Sequence, residues 1–127
     1  MGQAWIDFET PDLAKRIEGL SDDERDSLPF GVIHLDGDGV VLFYSKTEAR
    51  LSGNPDCPVG LNFYATSCMG NDAFRGRIVR AQEEGPVDLE IAWPRDYGGV
   101  VRDLRIRVQS AADGGVWLCI ERDTGQR

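Results

Sequence analysis

Phe30-Gly31-Val32-Ile33-His34-Leu35-Asp36-Gly37-Asp38-Gly39-Val40-Val41-Leu42-Phe43-Tyr44 is the stretch on which the fold turns. Two apolar runs flank four residues that tolerate positive φ. This pattern predicts strands over Gly31–Leu35 and Val40–Tyr44 joined as an antiparallel hairpin. Asp36 to Gly39 lacks the twelve-residue ligand pattern and closing glutamate of a calcium loop, so the segment reads as a turn.

Downstream, Lys46 to Ser52 reads as a short helix ending near Gly53, and Pro55 and Pro58 make Asn54 to Leu61 irregular. Asp72 is placed to cap a longer helix from Ala73 to about Glu84. Phe74, Ile78 and Ala81 share one face of it, and Gly85-Pro86 ends it. Three strands are predicted next: Val87 to Trp93, Val100 to Ser110 and Val116 to Arg122. Leu104, Ile106 and Val108 alternate with Arg105, Arg107 and Gln109, which puts one face inward and one in water. Asp113-Gly114-Gly115 is a second hairpin turn.

Upstream, Thr10-Pro11 reads as an N-cap followed by proline at the first helical position, with Asp12 at the positive helix end. Leu13, Ile17 and Leu20 recur at helical spacing, and Gly19 is the stop. Ser21-Asp22-Asp23-Glu24 is a capping-box pattern opening a second short helix. Residues 1–28 thus read as a two-helix cap on a core of residues 29–127, together one structural domain. The order is helical cap, two strands, helices, three strands, an α+β arrangement with a ligand pocket expected between sheet and helices.

The 127 residues suffice for an apolar core without a disulfide or metal staple. A formal charge of −8 repels phosphate backbones, which argues against nucleic acid as a direct partner. No apolar run approaches the ~20 residues needed to span a bilayer, so no membrane partner is expected. Met1 to Phe8 lacks a secretory pattern, and Ile6 breaks the myristoylation pattern that Met1-Gly2 begins. Three cysteines without a signal peptide imply free thiols and a cytoplasmic location. The ligand spacing of a zinc site is absent, and His34 is the sole histidine.

Cys57, Cys68 and Cys119 are each compatible with a small buried hydrophobe. Cys68 differs by position, because it precedes a capped helix whose N-terminus would stabilise a thiolate, the form that can be acylated. Tyr44 reads either as an amphipathic strand wall or as a hydrogen-bond donor. Glu48, on the first turn of the short helix, reads either as a solvated glutamate beside Lys46 and Arg50 or as a second donor in the same pocket. Trp93 is either sheet core or pocket wall. His34 alternates with apolar neighbours and reads as a surface strand residue.

Phe30-Gly31, Leu35 to Gly39, Gly60, Asn62-Phe63, Cys68, Phe74, Gly76, Trp117 and Arg122 resemble the photoactive yellow protein family over about Phe8 to Arg122. The resemblance implies a PAS-like fold: a five-stranded antiparallel sheet, helices on one face and an N-terminal helical cap. It implies a blue-light photoreceptor and not an enzyme. The cofactor would be 4-hydroxycinnamic acid (p-coumaric acid) held as a thioester on Cys68. Tyr44 and Glu48 would hydrogen-bond its ionised ring oxygen, with Glu48 protonated in the dark. Light would isomerise the pigment, Glu48 would give up its proton, and the unpaired buried carboxylate would loosen the cap. Ser52 matches a threonine that supports the tyrosine hydroxyl. Asn54 stands where the family has an arginine over the pocket, and Thr66-Ser67 replace an alanine-proline pair. Trp93 matches an aromatic wall position. An unidentified downstream signalling protein is the implied partner, with the chain a monomer or weak dimer. The alternative is a pigment-free PAS-like ligand-binding or protein-interaction module. A thiol enzyme would need His34 as base, on a strand with no orienting partner in sight.

Overall fold

A computed structural model describes residue 6 and residues 8–52, 59–66, 72–97 and 100–122. Its centre is a five-stranded antiparallel sheet in the order β2-β1-β5-β4-β3. The strands are β1 Gly31–Leu35, β2 Val41–Tyr44, β3 Asp88–Tyr97, β4 Val100–Ser110 and β5 Val116–Arg122. The helices are α1 Leu13–Glu18, α2 Asp22–Asp26, α3 Lys46–Ser52, α4 Phe63–Thr66 and α5 Asp72–Glu84. The α+β, PAS-like arrangement anticipated from the sequence is therefore present.

The β1–β2 turn forms as its residues dictate. Asp36 Oδ1 accepts the N–H groups of Asp38 (2.8 Å) and Val40 (3.0 Å), and Gly39 takes a φ of 91° that a side chain would resist. At the β4–β5 turn, Asp113 Oδ1 accepts from Gly115 N at 3.0 Å, and Gly114 has a φ of 96°. The Ser21 capping box is complete, with Ser21 Oγ accepting from Glu24 N and Glu24 Oε1 accepting from Ser21 N.

The sheet buries both faces. On one, Ile33, Leu35, Val41, Ile91, Ile106, Val108, Leu118 and Ile120 pack with Phe63 and with Ile78 of α5. On the other, Val32, Trp117 and Cys119 pack with Ile6, Phe8, Phe30 and the Leu13, Ala14 and Ile17 stripe of α1. The period-two alternation of the strands and the helical spacing of α1 supply these faces.

Several expectations need correction. α1 starts at Leu13, two residues later than Thr10-Pro11 suggests, because Asp12 adopts a left-handed φ of 53° and makes no side-chain cap bond. Gly19 follows α1 with an ordinary φ of −81°, so no left-handed cap ends that helix. β3 runs through Pro94 to Tyr97, past Trp93, paired throughout with β4. α4 was not anticipated. Its N-terminus is set by Asn62, whose Oδ1 accepts from Tyr64 N at 2.9 Å.

The Arg105-Arg107-Gln109 face does not lie in open water. Arg107 donates to the carbonyl oxygens of Phe8 and Thr10, both at 2.8 Å, and Gln109 Oε1 accepts from Ala14 N at 2.8 Å. Arg105 bonds Glu9, Glu90 and Glu121, and its guanidinium lies 5.0 Å from the Phe8 ring centroid. The N-terminal segment thus covers this face by serving its polar groups. His34 is likewise not a free surface residue. It stacks on Trp117 at 4.2 Å and 13°, and its Nε2 lies 3.1 Å from Asp113 Oδ2, off hydrogen-bond angles.

Candidate functional site

Tyr44 and Glu48 stand on the sheet face covered by the later helices. Tyr44 pairs with Ile33 across the β1–β2 ladder, and directly opposed residues point to the same side. It is half-buried and packs against the core that contains Ile33 and Phe63. Gly31 lies two residues before Ile33 and so faces the same side. There the Glu48 side chain lies along it. A Cβ built on Gly31 would overlap Glu48 Oε1 and stand 2.9 Å from Glu48 Cδ.

Glu48 is 2% exposed, although it sits in the first turn of a short helix. Its place is set by Ser45. Ser45 Oγ accepts from Glu48 N at 3.1 Å and from Val32 N at 3.0 Å, while Ser45 N donates to Val32 O at 2.9 Å. One hydroxyl therefore caps α3 and welds it to β1. Sequence reasoning missed Ser45 and Gly31. The signal existed, since Ser45-Lys46-Thr47-Glu48 is the same Ser-x-x-Glu pattern recognised at Ser21. Ser45 N is engaged by strand β1, and the Glu48 carboxyl reaches over Gly31.

The first turn of α3 is also tied to the end of the N-terminal region. Lys46 N donates to Asp26 Oδ1 at 2.7 Å, and the Thr47 hydroxyl reaches the carbonyl oxygens of Asp26 (2.9 Å) and Leu28 (2.8 Å).

Asn54, Ser67 and Cys68 lie outside the described residues, as do Cys57 and most of the irregular segment 54–61. Ser52, Thr66 and Trp93 are placed by backbone, in α3, at the end of α4 and opposite Leu104 in β3, while their side chains lie outside the description. Cys119 is buried in β5, where burial pushes its thiol far above the usual range against the opposing pull of Arg107. It is a packing residue.

A polar groove of about 380 Å³ opens between the β1–β2 turn and α5, lined in part by Asp36, Asp38, Tyr64, Arg75 and Glu83. Burial pushes the Tyr64 phenol up to about 12, with Arg75 acting against it. Tyr44 and Glu48 do not line this groove. Among the described residues no cluster of three or more metal-ligating side chains occurs, and no helix is long and apolar enough to cross a membrane.

No family model matches the chain. Curated relatives do. The chain is 30% identical over 99 residues to photoactive yellow protein of Cereibacter sphaeroides, covering 75% of this chain and 80% of the relative. It is 26% identical over 121 residues to photoactive yellow protein of Halochromatium salexigens, covering 92% and 97%. Among solved structures, the photoactive yellow protein domain from the sensor histidine kinase Ppr of Rhodospirillum centenum superposes with a TM-score of 0.72 at 32% identity, over 85% of this chain and 98% of that one. The PAS domain of an HTR-like protein from Haloarcula marismortui matches with a TM-score of 0.57 at 14% identity, over 86% and 99%, a likeness of fold.

Proposed function

The chain belongs to the photoactive yellow protein family, and from that premise we propose a blue-light photoreceptor that carries 4-hydroxycinnamic acid as a thioester on Cys68. At the coarser level it is a PAS-type photosensor, a sensory module and not an enzyme. The observation that carries the finer reading is a buried glutamate, seated over a bare glycine backbone, on the sheet face that also holds Tyr44. A carboxyl is rarely buried this fully in a first helical turn unless it serves a partner. A phenol and a carboxyl on one face suit a ligand with an ionised ring oxygen.

When bound, the pigment supplies a light-isomerisable double bond and a phenolate that accepts a proton. The chain supplies the rest. Cys68 is the anchor, and Tyr44 and Glu48 donate hydrogen bonds, with the Ser52 hydroxyl supporting Tyr44. Asn54, Thr66, Ser67 and Trp93 belong to the pocket's lid and wall. Glu48 holds a proton in the dark and releases it after illumination. A carboxylate left unpaired in that setting costs several kcal/mol, on the order of 3–5. Its helix α3 is bolted to Asp26 and Leu28, so the strain passes to residues 1–28, the cap, which loosens from the core 29–127. A downstream protein would read the loosened cap.

The test is reconstitution. Purified apoprotein is treated with an activated ester of 4-hydroxycinnamic acid, so that the Cys68 thiolate displaces the leaving group and a thioester forms. A yellow adduct of the added mass, bleached by blue light and absent in Cys68→Ala, is the expected result. Attachment to Cys119, or no visible band, overturns the reading and leaves a pigment-free PAS-like binding module.

A further inference from the structure

We infer that Gly31 is the positioning residue that sets where the Glu48 carboxyl sits and thereby tunes the hydrogen bond offered to the pigment. The inference rests on the photoreceptor reading above. Glycine is disfavoured inside a strand, where it forgoes side-chain packing and loses more freedom on folding than other residues. Gly31 is nonetheless buried in β1 and paired with Ile120 of β5. Backbone conformation does not explain it. Gly39, Gly60, Gly85 and Gly114 take positive φ, and Gly31 does not.

Space does explain it. A Cβ at Gly31 would overlap Glu48 Oε1, stand 2.9 Å from Cδ and 3.1 Å from the Glu48 Cβ. The whole side chain therefore lies along the strand backbone. The other tight glycines differ in kind. At Gly115 the obstruction is the Leu35 and Asp36 backbone, and at Gly39 it is the Tyr64 ring. Among the described glycines, Gly31 is the one whose missing Cβ makes room for a carboxyl.

The identity of the obstructing atoms decides what a substitution would do. Ser45 fixes the α3 N-terminus to β1 through both its hydroxyl and its N–H. The backbone of Glu48 is therefore held, and the obstructing atoms are the far end of its side chain, the part that can yield. In Gly31→Ala the carboxyl moves while the fold persists. A glycine at this position keeps the proton donor within reach of a fixed point. A larger residue would send it elsewhere.

The experiment compares Gly31→Ala, Glu48→Gln, the double variant Gly31→Ala/Glu48→Gln and the control Gly76→Ala, whose added Cβ meets nothing within 4 Å. In pigment-loaded protein, the dark absorption band of Gly31→Ala shifts to longer wavelength, as that of Glu48→Gln does. The double variant shifts no further than Glu48→Gln alone, and Gly76→Ala does not shift. A band for Gly31→Ala at the wild-type position, or shifts that add in the double variant, overturns the inference. A second readout needs no pigment. In the apoprotein, Gly31→Ala lowers the urea midpoint, and trimming the carboxyl in Gly31→Ala/Glu48→Ala removes that loss relative to Glu48→Ala. Persistence of the full loss overturns the inference even if reconstitution fails, whereas failed reconstitution with the loss removed overturns only the photoreceptor reading.

Discussion

The Thr47 hydroxyl lies 2.8 Å from the carbonyl oxygen of Leu28 and shares its single proton with that of Asp26 at 2.9 Å. Thr47 precedes Glu48, so the helix turn that holds the buried carboxyl is the same turn that grips the end of the N-terminal region. Thr47 is 2% exposed, and water cannot replace its bond.

Thr47→Val keeps the shape and removes the donor. Two carbonyls then lose a partner, and the expected loss is about 1–3 kcal/mol. Urea unfolding measures it as a lower midpoint with an unchanged slope. Trypsin cleavage at Arg25 in the native protein should accelerate in parallel. An unchanged midpoint would mean that Asp26 Oδ1 on Lys46 N suffices to hold the junction.

Trp117 is the platform for the cap. Its Nε1 donates to Glu18 Oε2 at 2.9 Å, and the Arg25 guanidinium lies 5.0 Å from its ring on the way to the carbonyl oxygens of Ile17 and Glu18. Trp117→Phe should cost about 1–2 kcal/mol through the lost hydrogen bond and the smaller stacking face. Hydrogen exchange localises the effect: amides of α1 and α2 should lose protection while those of β3 and β4 keep it. Uniform loss across the sheet would instead mark Trp117 as core alone.

Thiol chemistry separates the cysteines. Cys119 is buried and its thiol is pushed upward by that burial, so at pH 8 it should resist a thiol reagent until the chain unfolds. Mass mapping after brief labelling of native apoprotein should find Cys119 unmodified and Cys68 modified. Rapid native labelling of Cys119 would contradict its placement in β5.

Acid should loosen the N-terminal contact. The Arg105 guanidinium beside Glu9 holds that carboxyl below the usual glutamate value of about 4.3. A depressed carboxyl stabilises above its unfolded pKa, and that contribution is lost as pH falls through the lower folded value. The pair is exposed, so the effect is small and screened by salt. Protection of the Phe8 and Glu9 amides, taken relative to the intrinsic exchange rate at each pH from 6 to 3, should fall at the acid end in the native chain. In Arg105→Gln it should start low and vary little, and an equal acid response in both proteins would remove Glu9 from the contact.

Much of this was readable from local chemistry. The hairpin at Asp36 to Gly39, the Ser21 capping box and the alternation of Ile106 and Val108 each depend on neighbours a few residues apart, and each forms as written. Residue identities alone also carried the family resemblance. The readings that changed were those that depend on a distant segment. Arg105 and Arg107 alternate like solvated strand residues, yet Phe8, Glu9 and Thr10, nearly a hundred positions away, close over them. Sequence periodicity marks two faces and cannot say what covers the second.

The same division holds at the site. Tyr44 and Glu48 could be singled out from type, spacing and resemblance. Whether Glu48 is solvated or buried was open, because a first-turn glutamate beside Lys46 and Arg50 has the pattern of either. Tertiary structure settled its burial by setting α3 against β1 and leaving room over Gly31, where a carboxyl fits only because no Cβ stands in its way. Turn and cap preferences act over three or four residues along the chain. Burial is a property of which remote surfaces meet, and only the folded packing of helix on strand supplies it.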